Sequence, residues 1–218
     1  MNHICIIPRD LYLKLNKSKE IDNYFKIKNV GNCIELIQQY YHSTSKPTTK
    51  GWEEFYGEAQ GWDGLRIAVE EICKIYPDAD PQDIKRYAYH RVISQTWDGL
   101  NMELILMQDL AYNFTKLNIS KTSFQVDHEY CIDIEVCDGD EILCGIQVKP
   151  LSYQHMSSPH QLRAKQNHYR KNEQYKEKYA PYVYVYYDKA TSELLDVENL
   201  FNYIKTLSNS ANTQTYKW

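Results

Sequence analysis

Between Leu100 and Leu117 the apolar residues Leu100, Met107, Leu110, Phe114 and Leu117 recur at about 100° per residue, which predicts one long amphipathic helix. Glu103 falls on the same stripe. An acid on a core-facing stripe is costly unless it has a partner or a task, because an isolated carboxylate loses its hydration on burial. Upstream, Ile34, Ile37 and Tyr41 predict a helix from about Cys33 to Tyr41, after a short apolar opening at Ile4, Ile6 and Ile7. Polar residues from His42 to Gly51, with Pro47, read as a loop. Further helices are expected from about Leu65 to Tyr76 and after Asp80-Pro81, a cap followed by a first-turn proline. Trp62-Asp63-Gly64-Leu65 recurs as Trp97-Asp98-Gly99-Leu100. Two copies are too few for a repeat array, so Asp63 and Asp98 are read as helix N-caps.

The periodicity then changes. Tyr130 to Val136 and Leu143 to Lys149 alternate with period two, and Cys137 to Glu141 between them has turn chemistry, so a β-hairpin is predicted there. Pro150 ends its second strand. Ser158-Pro159-His160-Gln161 has the form of a capping box and starts a helix expected to run to about Lys178. Tyr182 to Tyr187 reads as a strand, Val197 to Leu207 as a last helix, and Ser208 to Lys217 as a frayed tail.

The register of the hairpin decides which polar groups meet. With Asp138-Gly139-Asp140 as a three-residue loop, Cys137 faces Glu141, Asp133 faces Gly145 and Glu129 faces Lys149. Asp133, Glu135, Gln147 and Lys149 then share one face, while Ile132, Ile134, Val136, Ile146 and Val148 share the other. Asp133 is diagonal to Gln147, roughly 7–8 Å between backbones, a gap that a divalent cation with oxygen ligands can bridge. Gly145 is expected to leave room for that cation or for a phosphate. Asp127, Glu129 and Glu135 share the parity of Asp133 and remain rival ligands.

Composition narrows the class. A chain of 218 residues, 43% hydrophobic and 25% charged, suits a single domain with a sizeable core. No run approaches the roughly 18 apolar residues of a membrane span, so a cytoplasmic protein without a membrane partner is expected. The six cysteines include no CxxC pair, which argues for free thiols over a zinc or redox motif. His155, His160 and His168 likewise lack compact ligand spacing. The net charge of −4 disfavours a purely electrostatic nucleic-acid coat, yet Arg163 to Lys178 carries six basic residues against two acids. Arg163, Arg170, Lys171 and Lys178 fall within about 100° of a helix.

These residues resemble the PD-(D/E)XK nuclease superfamily, and within it the type II restriction endonucleases. The likeness is carried by Asp133 on one strand, Gln147-Val148-Lys149 on the next, a preceding helix with Gly99 to Glu103, and a helix then a strand after. Gln147 departs from the usual Asp or Glu and makes this a QxK variant. Gln147-Val148-Lys149-Pro150 with Ser152-Tyr153, and the earlier Trp52-Glu53-Glu54-Phe55-Tyr56, also look like the short MjaI-type enzymes that cut CTAG.

The resemblance implies an α/β (α+β) nuclease core at 97–208, a mixed sheet flanked by helices, with a mainly helical elaboration at 1–96 for DNA reading or dimer contacts and a tail at 209–218. It implies Mg2+ as cofactor, with Mn2+ able to substitute and no nucleotide cofactor. Asp133, Glu103, Gln147 and the Val148 carbonyl are the implied ligands, and Lys149 acts on the attacking water and the scissile phosphate. Double-stranded DNA is the implied partner, contacted by Tyr153, His155, His160, Arg163, Lys165, Arg170 and Lys171. A palindromic site implies a homodimer. Two alternatives stay open: a repair or junction-resolving nuclease of the same superfamily, and a non-catalytic nucleic-acid or protein binding module, which Gln147 would suit as a sign of a degenerate site.

Overall fold

The computed structural model describes residues 7–214, so the expected apolar positions Ile4 and Ile6 and the last residues of the expected tail lie outside the described residues. The chain forms two compact units, Met1–Leu100 and Asn101–Trp218.

Among the described residues the first unit is helical throughout. It comprises α1 (Arg9–Lys17), α2 (Lys19–Tyr24), α3 (Ile27–Val30), α4 (Cys33–Ser43), α5 (Thr49–Ala59), α6 (Asp63–Ile75) and α7 (Pro81–Tyr89). A π-helical turn, His90–Ser94, then leads into α8 (Gln95–Asn113), which carries the chain into the second unit. Leu15, Ile21, Ile72, Ile84 and Tyr87 form a buried cluster. Buried rings place their polar tips on backbone carbonyls, Trp52 Nε1 on Ile93 O at 3.2 Å and Tyr56 Oη on Val30 O at 2.9 Å. Asp80 caps α7 as expected, its Oδ1 accepting from the Gln82 N–H at 2.8 Å.

The cap assignments at the repeated Trp-Asp-Gly-Leu motif are corrected. Trp62 occupies the N-cap of α6 without a side-chain bond, and Asp63 sits inside the first turn, 3.5 Å from the Arg66 guanidinium. Asp98 lies within α8, because the π turn delivers the chain already helical at Gln95.

In the second unit a five-stranded mixed sheet has the order β1 (Asn118–Lys121), β2 (Ile134–Asp138), β3 (Glu141–Pro150), β4 (Tyr182–Asp188) and β5 (Glu193–Leu195). Only the β3–β4 pair is parallel. Its crossover is α10 (Pro159–Lys178), begun by the expected capping box at Ser158 and Gln161. A helix α9 (Phe124–Tyr130) precedes β2, and α11 (Val197–Gln214) closes the described chain, extending past Leu207 where fraying was expected. The core between α8, the sheet and α11 contains Met102, Leu106, Leu110, Ile134, Val136, Cys144, Ile146, Val148, Val185, Tyr187, Leu200 and Ile204. Met107, Phe114 and Leu117 of the predicted stripe are only partly buried, and α8 stops at Asn113. Among the described residues no helix is long and apolar enough to cross a membrane.

The predicted strand from Tyr130 begins only at Ile134. Ser123 caps α9 by accepting from the Val126 N–H at 3.3 Å, and Cys131 ends that helix with φ 56° and ψ 45°. That left-handed residue breaks the alternation. Ile132 therefore packs with Tyr130, Tyr175 and Ala180 instead of with Ile134 and Val136. Glu129 stays exposed on α9, so its expected pairing with Lys149 is overturned.

Candidate active site

The hairpin turns on Gly139-Asp140, with Asp138 opposite Glu141 and Cys137 opposite Ile142. A bulge between Val136 and Cys137 follows, after which Val136 faces Cys144, Glu135 faces Gly145 and Ile134 faces Ile146. The shorter turn and the bulge each move the pairing by one residue, and together they restore the expected parity. Continued one step beyond β2, the register brings Asp133 alongside Gln147, where a diagonal relation had been expected. The Asp133 N–H donates to Ile146 O at 2.9 Å, and Asp133 Oδ2 accepts from the Val148 N–H at 2.7 Å. Lys149 Nζ stands 3.5 Å from the same Oδ2.

Glu103 reaches this group from α8. Its Oε2 is in direct contact with Nζ of Lys121, at the end of β1, whose side chain is 2% exposed against 14% for Glu103. Lys121 pairs in register with Ile134, and the next residue, Thr122, donates its N–H to Asp133 O at 3.1 Å. The strand that supplies the Glu103 counter-ion thus also fixes the Asp133 backbone. Burial pushes the Glu103 carboxyl up to about 7; Lys121 opposes that shift, and the Asp133 charge adds to it. Burial would push the Lys149 ammonium down, but Asp133, Glu103 and Asp127 together hold it above the usual lysine range. Lys121 is raised by the same three acids against its own burial.

Gln147 is 1% exposed, and its Oε1 has no hydrogen-bond partner. Leaving a buried acceptor unpaired costs about 1–3 kcal/mol. The orphaned oxygen and the Asp133 and Glu103 carboxylates are hard oxygen donors, a set that fits a divalent cation such as Mg2+. Among the described residues no group of three or more His, Cys, Asp or Glu side chains converges on a metal position.

Two rival ligands have other occupations or positions: Glu135 Oε1 accepts from the Tyr175 hydroxyl at 2.9 Å, and Glu129 is exposed on α9. Asp127 contributes its charge to Glu103, Lys121 and Lys149. The role expected of Gly145 is corrected. A Cβ built there would lie 2.7 Å from Tyr175 Cε1 and 2.9 Å from Ile132 Cγ2, so the space holds a tyrosine ring and no cation.

The expected DNA contacts divide. His155, Arg163 and Arg170 are exposed, and Arg170 bonds Asn167 Oδ1 at 3.1 Å. Lys165 is half-buried, bonding Gln154 O at 3.2 Å and lying over the Tyr153 ring. Lys171 reaches back to the His128 carbonyl, and Lys178 bonds the Tyr130 hydroxyl at 2.9 Å. On the predicted ridge of α10, Arg163 and Arg170 are thus exposed, while the two lysines hold α9. The side chain of His160 lies outside the described residues. Tyr153, expected at the DNA surface, is 4% exposed and stacks on His168, with its hydroxyl 3.1 Å from Nδ1. The His168 imidazole is held below its ordinary value by burial, then by Lys149 and Lys171.

Sequence reasoning missed Lys121 and Asn172 and weighed His168 only as a metal ligand. A lysine sharing the strand face of Ile119 was the available sign for Lys121, whereas Asn172 looked like any polar residue of a basic helix.

The family model described as MjaI restriction endonuclease matches residues 15–199. No curated protein and no solved structure matches the chain.

Proposed function

The chain belongs to the MjaI restriction endonuclease family, and from that membership we propose that its catalytic centre is the Asp133, Glu103, Gln147 and Lys149 group, with Mg2+ as the working ion and Mn2+ as a substitute. It is a type II restriction endonuclease, a hydrolase of double-stranded DNA, and enzymes of this kind generally use a divalent metal. The finer reading is cleavage at a short palindrome, CTAG by likeness to the family, by a homodimer with one site per strand, acting in the cytoplasm. The observation that carries the site assignment is the Gln147 Oε1, buried and without a partner beside Asp133.

Asp133, Glu103, Gln147 Oε1 and the Val148 carbonyl would hold the cation. When bound, it would neutralise charge developing on the scissile phosphate and lower the pKa of the attacking water. Asp133 is already oriented by the Val148 N–H, so little side-chain freedom remains to be lost on binding. Lys149 would donate to the phosphate oxygens and orient the water from its place beside Asp133. Lys121 lies against Glu103 and favours its charged form, opposing the effect of burial. Arg163 and Arg170 on the outer face of α10 would take backbone phosphates.

The test is cleavage of a plasmid carrying CTAG, with Mg2+ or with chelator, by wild type, Asp133→Ala and Lys149→Ala. Discrete Mg2+-dependent fragments from wild type alone, with DNA binding kept in both variants, are expected. Wild-type cutting by either variant would overturn the site assignment, and cutting only of branched DNA would favour a junction-resolving enzyme.

A further inference from the structure

Asn172 is 0% exposed on the inner side of α10, and its carboxamide uses both ends. Nδ2 donates to Tyr130 O at 2.9 Å and to Cys131 O at 3.1 Å, while Oδ1 accepts from the Tyr184 hydroxyl at 2.6 Å. The orientation follows from chemistry: carbonyls only accept, so Nδ2 must face them. Those carbonyls belong to the end of α9, where helical C=O groups lack partners of their own.

Cys131 there holds the left-handed conformation, φ 56°, that glycine usually supplies at a helix C-terminus. Its N–H bonds Asp127 O at 2.7 Å. Two residues later comes Asp133, whose own N–H and C=O are fixed to Ile146 and Thr122. Cys131 is where the chain turns out of α9 toward those two anchors of Asp133. Tyr184, which orients the clamp, is the register partner of Gln147 on the neighbouring strand. The clamp is thus tied to the strand that flanks Gln147.

We propose that Asn172 is a positioning residue for Asp133: a side-chain clamp that stands in for glycine at the Cys131 turn and aims the acid at the catalytic centre. The inference rests on the active-site reading above. α10 does not depend on Asn172 alone, since Tyr175 bonds Glu135, Lys178 bonds Tyr130 and Ile132 packs with Tyr175 and Ala180.

The experiment is steady-state cleavage of a duplex bearing the cut site, with the full chain and Mg2+. Asn172→Ala is expected to lower kcat about 10- to 100-fold with little change in KM, the signature of displaced catalytic geometry. Adding Cys131→Gly should recover about tenfold or more of that loss, because glycine takes the left-handed turn without a clamp. A purely structural asparagine elsewhere in the helix would gain nothing specific from glycine at 131. Wild-type kcat in Asn172→Ala, a change in KM alone, or no recovery with Cys131→Gly overturns the proposal. If Asn172→Ala does not fold, Tyr184→Phe carries the test. It keeps the ring and removes the hydroxyl that orients the carboxamide, so kcat should fall about 3-fold, and wild-type kcat overturns the proposal. Asp133→Asn is run alongside: if it cuts at the wild-type rate, the active-site reading fails and the inference falls with it.

Discussion

Gly145→Ala is the substitution whose effect can be worked most directly from distances. The new methyl would stand 2.7 Å from Tyr175 Cε1, 3.0 Å from Tyr175 Cζ and 2.9 Å from Ile132 Cγ2, all well inside van der Waals contact. Neither neighbour can swing aside: both residues are fully buried, and the Tyr175 hydroxyl is held by Glu135 at 2.9 Å. Overpacking of this kind costs about 1–3 kcal/mol. For a cooperative unit of roughly 120 residues that is a fall of about 4–12 °C in melting temperature, read by circular dichroism at a wavelength reporting the sheet. Tyr175→Leu opens space at the same point, so Gly145→Ala with Tyr175→Leu should cost about 1 kcal/mol less than the two single changes summed. An unchanged melting temperature in Gly145→Ala, or strict additivity in the double variant, would refute the assignment of that space to the tyrosine ring. A loss of Mg2+-dependent cutting at unchanged stability would instead restore the idea that Gly145 makes room for a cation or phosphate.

Other expectations follow from the same site. Gln147→Glu adds a charge at a position 1% exposed, so the cation-free protein should melt lower, and Mg2+ or Ca2+ should raise its melting temperature more than it raises wild type; equal shifts would argue against Gln147 as a ligand. Lys121→Met breaks a buried ion pair and should destabilise by about 3–5 kcal/mol in urea titrations, most of which Glu103→Gln added to it should recover. The Glu103 carboxyl titrates at about 7 when folded, above its ordinary 4.5, so the folded state holds the extra proton between those values. Its contribution favours folding below pH 4.5 and is lost as pH rises through about 7 in cation-free protein, and Glu103→Gln should flatten that part of the stability profile. Ser158→Ala removes the cap of α10 and should cost about 1 kcal/mol in stability, with the Mg2+ dependence of cutting unchanged.

The face that gathers Asp133, Gln147 and Lys149 was legible because period-two alternation survives errors that come in pairs. The loop expected at Asp138-Gly139-Asp140 is one residue too long and the bulge beside Val136 was unseen, yet the two offsets sum to an even number and keep Gln147 and Lys149 on the face of Asp133. A single slip would have turned the acid into the core. Glu103 stood out because one charge on an apolar helical stripe violates the pattern locally. Its partner Lys121 did not, since the pair exists only after β1 folds beside α8. The strand was expected to start at Tyr130, and α9 was not expected at all, for a related reason: short apolar runs carry both periods, and the choice of helix is made by the Ser123 cap and by Asn172, over forty residues away. Gly145 was assigned to the wrong guest because sequence shows that a side chain is missing but not what fills the gap.

The outermost strands of the sheet, β1 and β5, are four and three residues long. A neighbouring molecule seeking to add its own strand would find a row of donors and acceptors too short to template more than a few bonds, a common protection against edge-to-edge aggregation. Were two copies of the chain to associate, edges this short would favour contact through helix and loop surfaces over one continuous sheet.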